Sequence, residues 1–159
     1  MGDLEKLLAI EEIRKLKARR VRSMDEKDWA GYAACHTPNA VSYTFQSENT
    51  GADAPIVGNE VIAERLKKQL TGRTTVHHVH APEIELTSDT TAKAIWPMED
   101  MLWWEEGGKQ LWLHGYGHYR ETYEKLNGQW LIASRALSRI RVDRGEQGQK
   151  DIMHASAAE

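Results

Sequence analysis

From residue 74 onward, apolar and polar positions alternate through five segments: Thr74 to His80, Glu83 to Thr87, Thr91 to Trp104, Gln110 to Tyr123 and Gln129 to Val142. Connections of a few residues join them, so consecutive strands run antiparallel in a meander. Leu126-Asn127-Gly128 is the sharpest joint, because Asn-Gly between alternating runs favours a two-residue hairpin turn. A twisted sheet of long strands must cover its apolar face, and the chain supplies the cover beforehand. Leu4, Leu7, Leu8, Ile13, Leu16, Val21 and Met24 approximate a helical stripe among Glu, Lys and Arg. Asp25 or Asp28 can cap a short second helix carrying Trp29, Tyr32 and Ala33, which Thr37-Pro38-Asn39 stops. Val41, Tyr43 and Phe45 then alternate as a strand, and SENTGADAPIVG reads as an exposed loop whose residues 47–57 could form a lid. Asn59 can cap a third helix with Val61, Ile62, Leu66 and Leu70 inward, ending at Thr71-Gly72.

The expected architecture is α+β: an open-mouthed cone in which a curved antiparallel sheet wraps around three helices from the N-terminal half. Pro97 inside the long third strand of the meander predicts a bulge or an edge there. At 159 residues the chain suits one domain, over 1–143, followed by a polar tail at 144–159 that is disordered or covers a neighbouring subunit.

Composition narrows the function. With 24 acidic against 21 basic residues and a formal net charge of −3, nothing draws the chain to a phosphate backbone or an anionic membrane, so no nucleic-acid or membrane partner is expected. The single cysteine, Cys35, excludes an internal disulfide and a cysteine-rich zinc site, and cytoplasmic localisation follows as the default. MGDLEKLLAIEEIRK is charged where a signal peptide would be apolar, and no run reaches membrane-spanning length. Six tryptophans stand against one phenylalanine, with Trp96, Trp103 and Trp104 close together; they suit either ordinary sheet packing or the wall of a ligand pocket.

Several residues could carry chemistry. In TTVHHVHAPE, strand alternation places His77 with Val79 on one face and His78 with His80 on the other. One imidazole facing an apolar cone is a candidate general base, against the alternative of a histidine hydrogen-bonded within the sheet. Asp25 sits where the first helix ends, and the negative end of a helix disfavours a carboxylate unless an imidazole N–H or an arginine compensates; capping the second helix explains it equally well. Asp100, in IWPMEDMLWW, shares a face with Trp96, Met98, Leu102 and Trp104 if alternation is perfect, and a carboxylate there requires a partner; a bulge at Pro97 would turn it outward. Along GYGHYRETY, His114, Tyr116 and His118 share one face and Tyr119 the other, with Gly115 and Gly117 leaving room for a ligand or a bend. Arg135 and Arg139 share a face of the last strand; the alternatives are ordinary surface arginines or a buried one that holds a carbonyl oxygen or a carboxylate. His78 and His80 with His118 or His114 have the spacing of a three-histidine zinc site, weighed against outward histidines with no metal.

The segments IEEIRKLKARRVRSMDEKDW, VHHVHAPEIEL, WPMEDMLWW, YEKLNGQW and LSRIRV, in this order, resemble SnoaL-like members of the nuclear transport factor 2 superfamily. The closest resemblance is to bacterial bile-acid 7α-dehydratases, with scytalone dehydratase and hexachlorocyclohexane dehydrochlorinase more distant. It covers roughly residues 8–143, and it implies the cystatin-like α+β barrel and a catalytic pair, Asp25 with His77 as base. It carries the acid of the family's central strand onto Asp100 and an arginine of its last strand onto Arg139. The bile-acid enzymes have a catalytic tyrosine five residues before the aspartate, where this chain has Arg20, so Arg20, Tyr43 or Tyr119 would substitute. Trp96, Met98, Trp104 and His118 complete the substrate-binding set. The activity that the resemblance implies is that of a cofactor-independent dehydratase-type lyase acting on a hydrophobic cyclic substrate, steroid- or polyketide-like. The competing readings are a related isomerase or cyclase and a non-catalytic binding or assembly module. A homodimer or homotrimer is expected, since members of the superfamily commonly cover the outer sheet face in this way.

Overall fold

The computed structural model describes residues 1–43 and 54–146. Helix α1 (Asp3–Asp25) comes first, and the Glu5 carboxylate accepts from the Gly2 N–H at 2.6 Å, placing negative charge at the positive end of the helix. Ala9, Ile13, Leu16, Val21 and Met24 turn inward. Leu4, Leu7 and Leu8 do not: they are 70%, 64% and 55% exposed, and the buried stripe starts at Ala9. Lys17 and Arg20 complete the buried face.

Helix α2 (Trp29–Ala34) is capped by Asp28, whose carboxylate accepts from the Gly31 N–H at 2.9 Å, which leaves Asp25 free for another partner. Helix α3 (Asn59–Leu70) starts at Asn59 rather than being capped by it. Gly58 takes the cap position at φ 103°, a conformation that disfavours a side chain, and Val61 is exposed while Ala63 joins Ile62, Leu66 and Leu70 inside.

Among the described residues seven strands make one sheet: β1 (His36–Ser42), β2 (Ile56–Val57), β3 (Thr74–Val79), β4 (Glu83–Leu86), β5 (Thr91–Glu106), β6 (Lys109–Leu126) and β7 (Gln129–Glu146). Their order is β2-β1-β7-β6-β5-β3, with β4 also pairing β5. Strands β5, β6 and β7 form the expected antiparallel meander, but β3 and β4 do not pair with each other: both lie antiparallel along the same edge of β5, one after the other, and β1 lies parallel to β7. Thr37-Pro38-Asn39 falls inside β1, where the register against β7 slips between His36 and Val41. Strand β7 runs to Glu146, so the start of the expected tail belongs to the sheet, while 147–159, Phe45 and most of the expected lid lie outside the described residues.

Of the bulge or edge expected at Pro97, the bulge is absent and Pro97 lies where β5 has no ladder partner on one side. Strand β5 pairs with β6 without a slip from Thr91 to Glu106, and Pro97 sits between the stretches of β5 that pair with β4 and β3, where no ladder N–H is required. Register shifts occur instead between β6 and β7, at Tyr116/Gly117 and Thr122/Tyr123. A Cβ on Gly117 would collide with the Ser138 carbonyl oxygen, so this close approach requires glycine. The Asn127-Gly128 turn has the left-handed φ values, 50° and 81°, that a tight hairpin needs.

Two apolar clusters fill the cone. The first joins α1 to the sheet through Ile13, Leu16, Trp96, Tyr119, Tyr123 and Ile132; the second joins α2 and α3 to Met24 and Leu102. Fully buried charge lies in the same interior. Lys17 Nζ donates to Glu121 at 2.6 Å, both side chains being 0% exposed, and Tyr123 donates to the same carboxylate at 2.5 Å while accepting from Trp96 at 2.9 Å. Burial alone would raise the Glu121 pKa, but Lys17 and Arg20 outweigh it and bring it to about 2. His36 is held neutral, its pKa brought to about 3 by burial and then by Arg20 and Arg135. No helix among the described residues is long and apolar enough to cross a membrane.

Both shifts make the fold acid-sensitive. The stability from neutral His36 is present above its unfolded value of 6.5 and lost as pH falls toward about 3; that from Glu121 is present above 4.5 and lost toward about 2. Thermal unfolding as a function of pH should show Tm falling from about pH 6.5 downward, with His36→Gln flattening the upper part of that decline. Glu121→Gln, which leaves Lys17 buried without its anion, should cost roughly 3–5 kcal/mol in denaturant titrations.

Candidate active site

Asp25 is the last residue of α1, and β3 supplies the compensation its position requires. His77 Nδ1 donates to Asp25 Oδ1 at 2.6 Å, the His77 backbone N–H to Oδ2 at 2.9 Å, and the Thr75 hydroxyl to Oδ1 at 2.9 Å. Thr75 and His77 are both inward on β3, as alternation requires, while His78 and His80 are half exposed on the other face. With Nδ1–H committed to the carboxylate, Nε2 carries the lone pair. It lies 3.8 Å from Asp100 Oδ2.

Burial lowers the His77 pKa and Asp25 pulls it back only in part, so the ring is neutral at neutral pH. Burial would raise the Asp25 pKa, but its bonds from His77 and Thr75 bring it below the ordinary value. Lys27, at φ 62°, sends its Nζ to the Thr75 hydroxyl at 2.7 Å, extending the chain of donors to a cation.

Asp100 is inward, and Arg139 grips it with two hydrogen bonds, Nη1 to Oδ1 at 2.6 Å and Nη2 to Oδ2 at 2.7 Å. The pair spans β6 at Gly115: a Cβ there would run into Arg139 Nη1 and Asp100 Oδ1. His77, Asp100, Arg139, Arg135 and Tyr119 line one open cavity of about 760 Å³ whose apolar wall includes Met24, Leu66, Leu70, Leu102 and Leu137. Asp25 lies behind His77, outside the lining.

The other expected binding residues are dispersed. Arg20 is wholly buried behind the cavity, donating to the Tyr32 hydroxyl at 3.2 Å and lying 4.9 Å from the Tyr119 ring centre. Trp96 belongs to the core cluster and Met98 packs beside Arg139, its Sδ 3.9 Å from Nη1. Trp104 lies under the Arg73 guanidinium, which lines the cavity, at 4.4 Å. Tyr43 is 44% exposed and lines a separate hollow of about 720 Å³ beside β4. His118, opposite Pro97 and Ser138, is on the outer face, one residue of alternation away from Tyr119. Neither Tyr43 nor His118 reaches the cavity.

On the outer face His78, His80 and His114 converge on Glu99, at 3.6, 3.5 and 2.8 Å, without His118. Among the described residues no group of three or more His, Cys, Asp or Glu side chains has a geometry that could hold a metal ion. Sequence reasoning missed two participants: Thr75 was findable, since it shares the face of His77 two residues away, and Lys27 carried no signal. Arg135 was weighed as a buried holder of a carbonyl oxygen or a carboxylate but was not placed in the site.

The fold and cavity define a small cone-shaped α+β domain with a carboxylate-oriented histidine at the base of an open pocket. The SnoaL-like domain family matches residues 5–136, and the chain belongs to it. The fold is similar to a type 2 hexachlorocyclohexane dehydrochlorinase (TM-score 0.77, 16% identity, covering 98% of this chain and 99% of that one). It is also similar to a scytalone dehydratase-like protein from Novosphingobium aromaticivorans (TM-score 0.76, 18% identity, 99% and 100% covered). A type 3 dehydrochlorinase from Novosphingobium barchaimii gives a TM-score of 0.75 at 16% identity, with 90% and 94% covered.

The tautomer is directly measurable. Nitrogen-15 NMR should find His77 protonated on Nδ1 and titrating below 6.5. Because Asp25 raises that pKa, Asp25→Asn should lower it further; protonation on Nε2 in the native chain would contradict the assignment.

Proposed function

We propose that the chain is a cofactor-independent lyase of the dehydratase kind, acting on a hydrophobic cyclic substrate such as a steroid- or polyketide-like ring system. One observation carries the reading: His77 has Nδ1 tied to Asp25 and lines a cavity of about 760 Å³, a volume suited to a polycyclic molecule. Nε2 takes a proton from a carbon beside a carbonyl, and Asp25 stabilises the imidazolium that forms. Arg139, held in place by Asp100, and Tyr119 offer donors to the oxygen that gains charge. The imidazolium then returns its proton to the departing hydroxyl as the C–O bond breaks, leaving a C=C bond and water. The names of the structural neighbours, a dehydrochlorinase and a scytalone dehydratase-like protein, denote eliminations of the same general kind and support the class.

A second reading, a ligand receptor without catalysis, is favoured by one observation: Arg20 replaces the family tyrosine and lies behind the cavity rather than in it. Screening hydroxy-ketones, steroids and small polyketides for loss of water separates the two. Asp25→Asn and His77→Ala should each lower turnover by roughly 10²–10⁴-fold with unchanged circular dichroism, and kcat/KM should fall on the acid side as His77 protonates. Retained turnover in both variants would remove the catalytic role of the pair; binding without turnover across the panel would support the receptor.

A further inference from the structure

We infer that the substrate carries a carboxylate, which docks on Arg135 in the floor of the active-site cavity. The inference takes the cavity to be the substrate site proposed above and names the chemistry of what enters it.

The charge of the lining is the first reason. In a chain of net charge −3, the cavity is lined by Lys68, Arg73, Arg135 and Arg139 against one carboxylate, Asp100. Arg139 grips Asp100 through both guanidinium nitrogens and Lys68 lies 3.8 Å from Glu64 outside the lining, so Arg73 and Arg135 are the cations of the lining with no carboxylate at ion-pair distance among the described residues. Such a cavity attracts anions and concentrates them at its mouth.

The second reason is what lies at the floor. Arg135 is 3% exposed, lines the cavity, and donates through Nη1 to the Tyr32 hydroxyl at 2.8 Å; its buried Nε has no hydrogen-bond partner. Arg20, 0% exposed, donates to the same hydroxyl through Nη2 at 3.2 Å, and its Nε and Nη1 also lack partners. Two guanidinium groups therefore share the Tyr32 hydroxyl oxygen, with the Tyr119 hydroxyl also beside Arg20. Among the described residues neither has a carboxylate within ion-pair distance, and Glu121, whose charge reaches both, is hydrogen-bonded to Lys17 and Tyr123. Buried like charges with open N–H groups are costly unless an anion arrives, and a carboxylate matches the planar fork of a guanidinium. His36 cannot relieve them, since its ring contacts the Tyr32 carbonyl oxygen at 2.8 Å and stays neutral beside the two arginines. The ligand supplies the acid that the chain withholds from this floor.

The test compares 1-naphthoate with its neutral analogue, 1-naphthamide, by calorimetry on the full chain. The acid should bind roughly tenfold or more tightly than the amide, as expected for a charged hydrogen bond in a buried site. In Arg135→Gln that preference should largely disappear. Because Arg135→Gln could destabilise the interior, a measurement on the native chain stands beside it: the Arg135 side-chain nitrogen-15 resonance should move with naphthoate and not with naphthamide. Equal binding of the two ligands, an unmoved Arg135 resonance, or a preference that persists in folded Arg135→Gln would each overturn the inference. His77→Ala should keep the preference. Lost preference with intact dependence on His77 defeats this inference alone; an intact preference with activity independent of His77 defeats only the proposed reaction.

Discussion

Asp25 receives a backbone N–H, an imidazole N–H and a hydroxyl, all from β3, and through them the end of the longest helix is fastened to the sheet edge. The same three bonds fix the ring of His77, so docking the helix and orienting the base are one act. A carboxylate at the negative end of a helix is poorly placed by itself, and this obliges the chain to bring donors to it. Thr75 and His77 satisfy that need only because they sit two residues apart on one strand face. Lys27 then reaches over from beyond the helix end and adds a positive charge behind Thr75.

How much of this is legible in the sequence depends on the type of regularity involved. Alternation separated His77 from His78 and His80 and put Asp100 with the inward row, because a strand period of two leaves no ambiguity while the register is unbroken. It equally placed His118 opposite to Tyr119, and assigning both to one pocket ignored it. The burial of Lys17 and Arg20 was illegible, although Arg20 had been singled out as a candidate site residue, because charged residues in an amphipathic helix pattern read as solvated; it depends on Glu121 and Tyr32. The bulge expected at Pro97 appeared between β6 and β7, since a missing N–H is harmless where neighbouring strands leave a gap. Asn59 as a cap failed for a local reason: Gly58 already adopts the turn into α3.

The interior of the cone is neither an oily core nor a simple polar channel. Trp96 and Tyr119 turn ring faces to Lys17, Tyr32 and Tyr119 turn theirs to Arg20, and the Tyr32 hydroxyl accepts a hydrogen bond from Arg20. This arrangement keeps cations in the buried interior, and Arg20 there lowers the proton affinity of His36 and His77. The neutral state of His36 and of His77 thus share an origin in burial reinforced by Arg20.

Gly115 separates β5 from β7 at the level of the Asp100–Arg139 pair, with its missing side chain occupied by that pair. A related chain with any larger residue at that register cannot hold the same carboxylate–guanidinium clasp without moving its backbone. The glycine is therefore as much a condition of the clasp as the two charged residues are. Where an acid and a base coexist without it, they are neighbours of a different kind, and a different division of labour in the pocket should be sought.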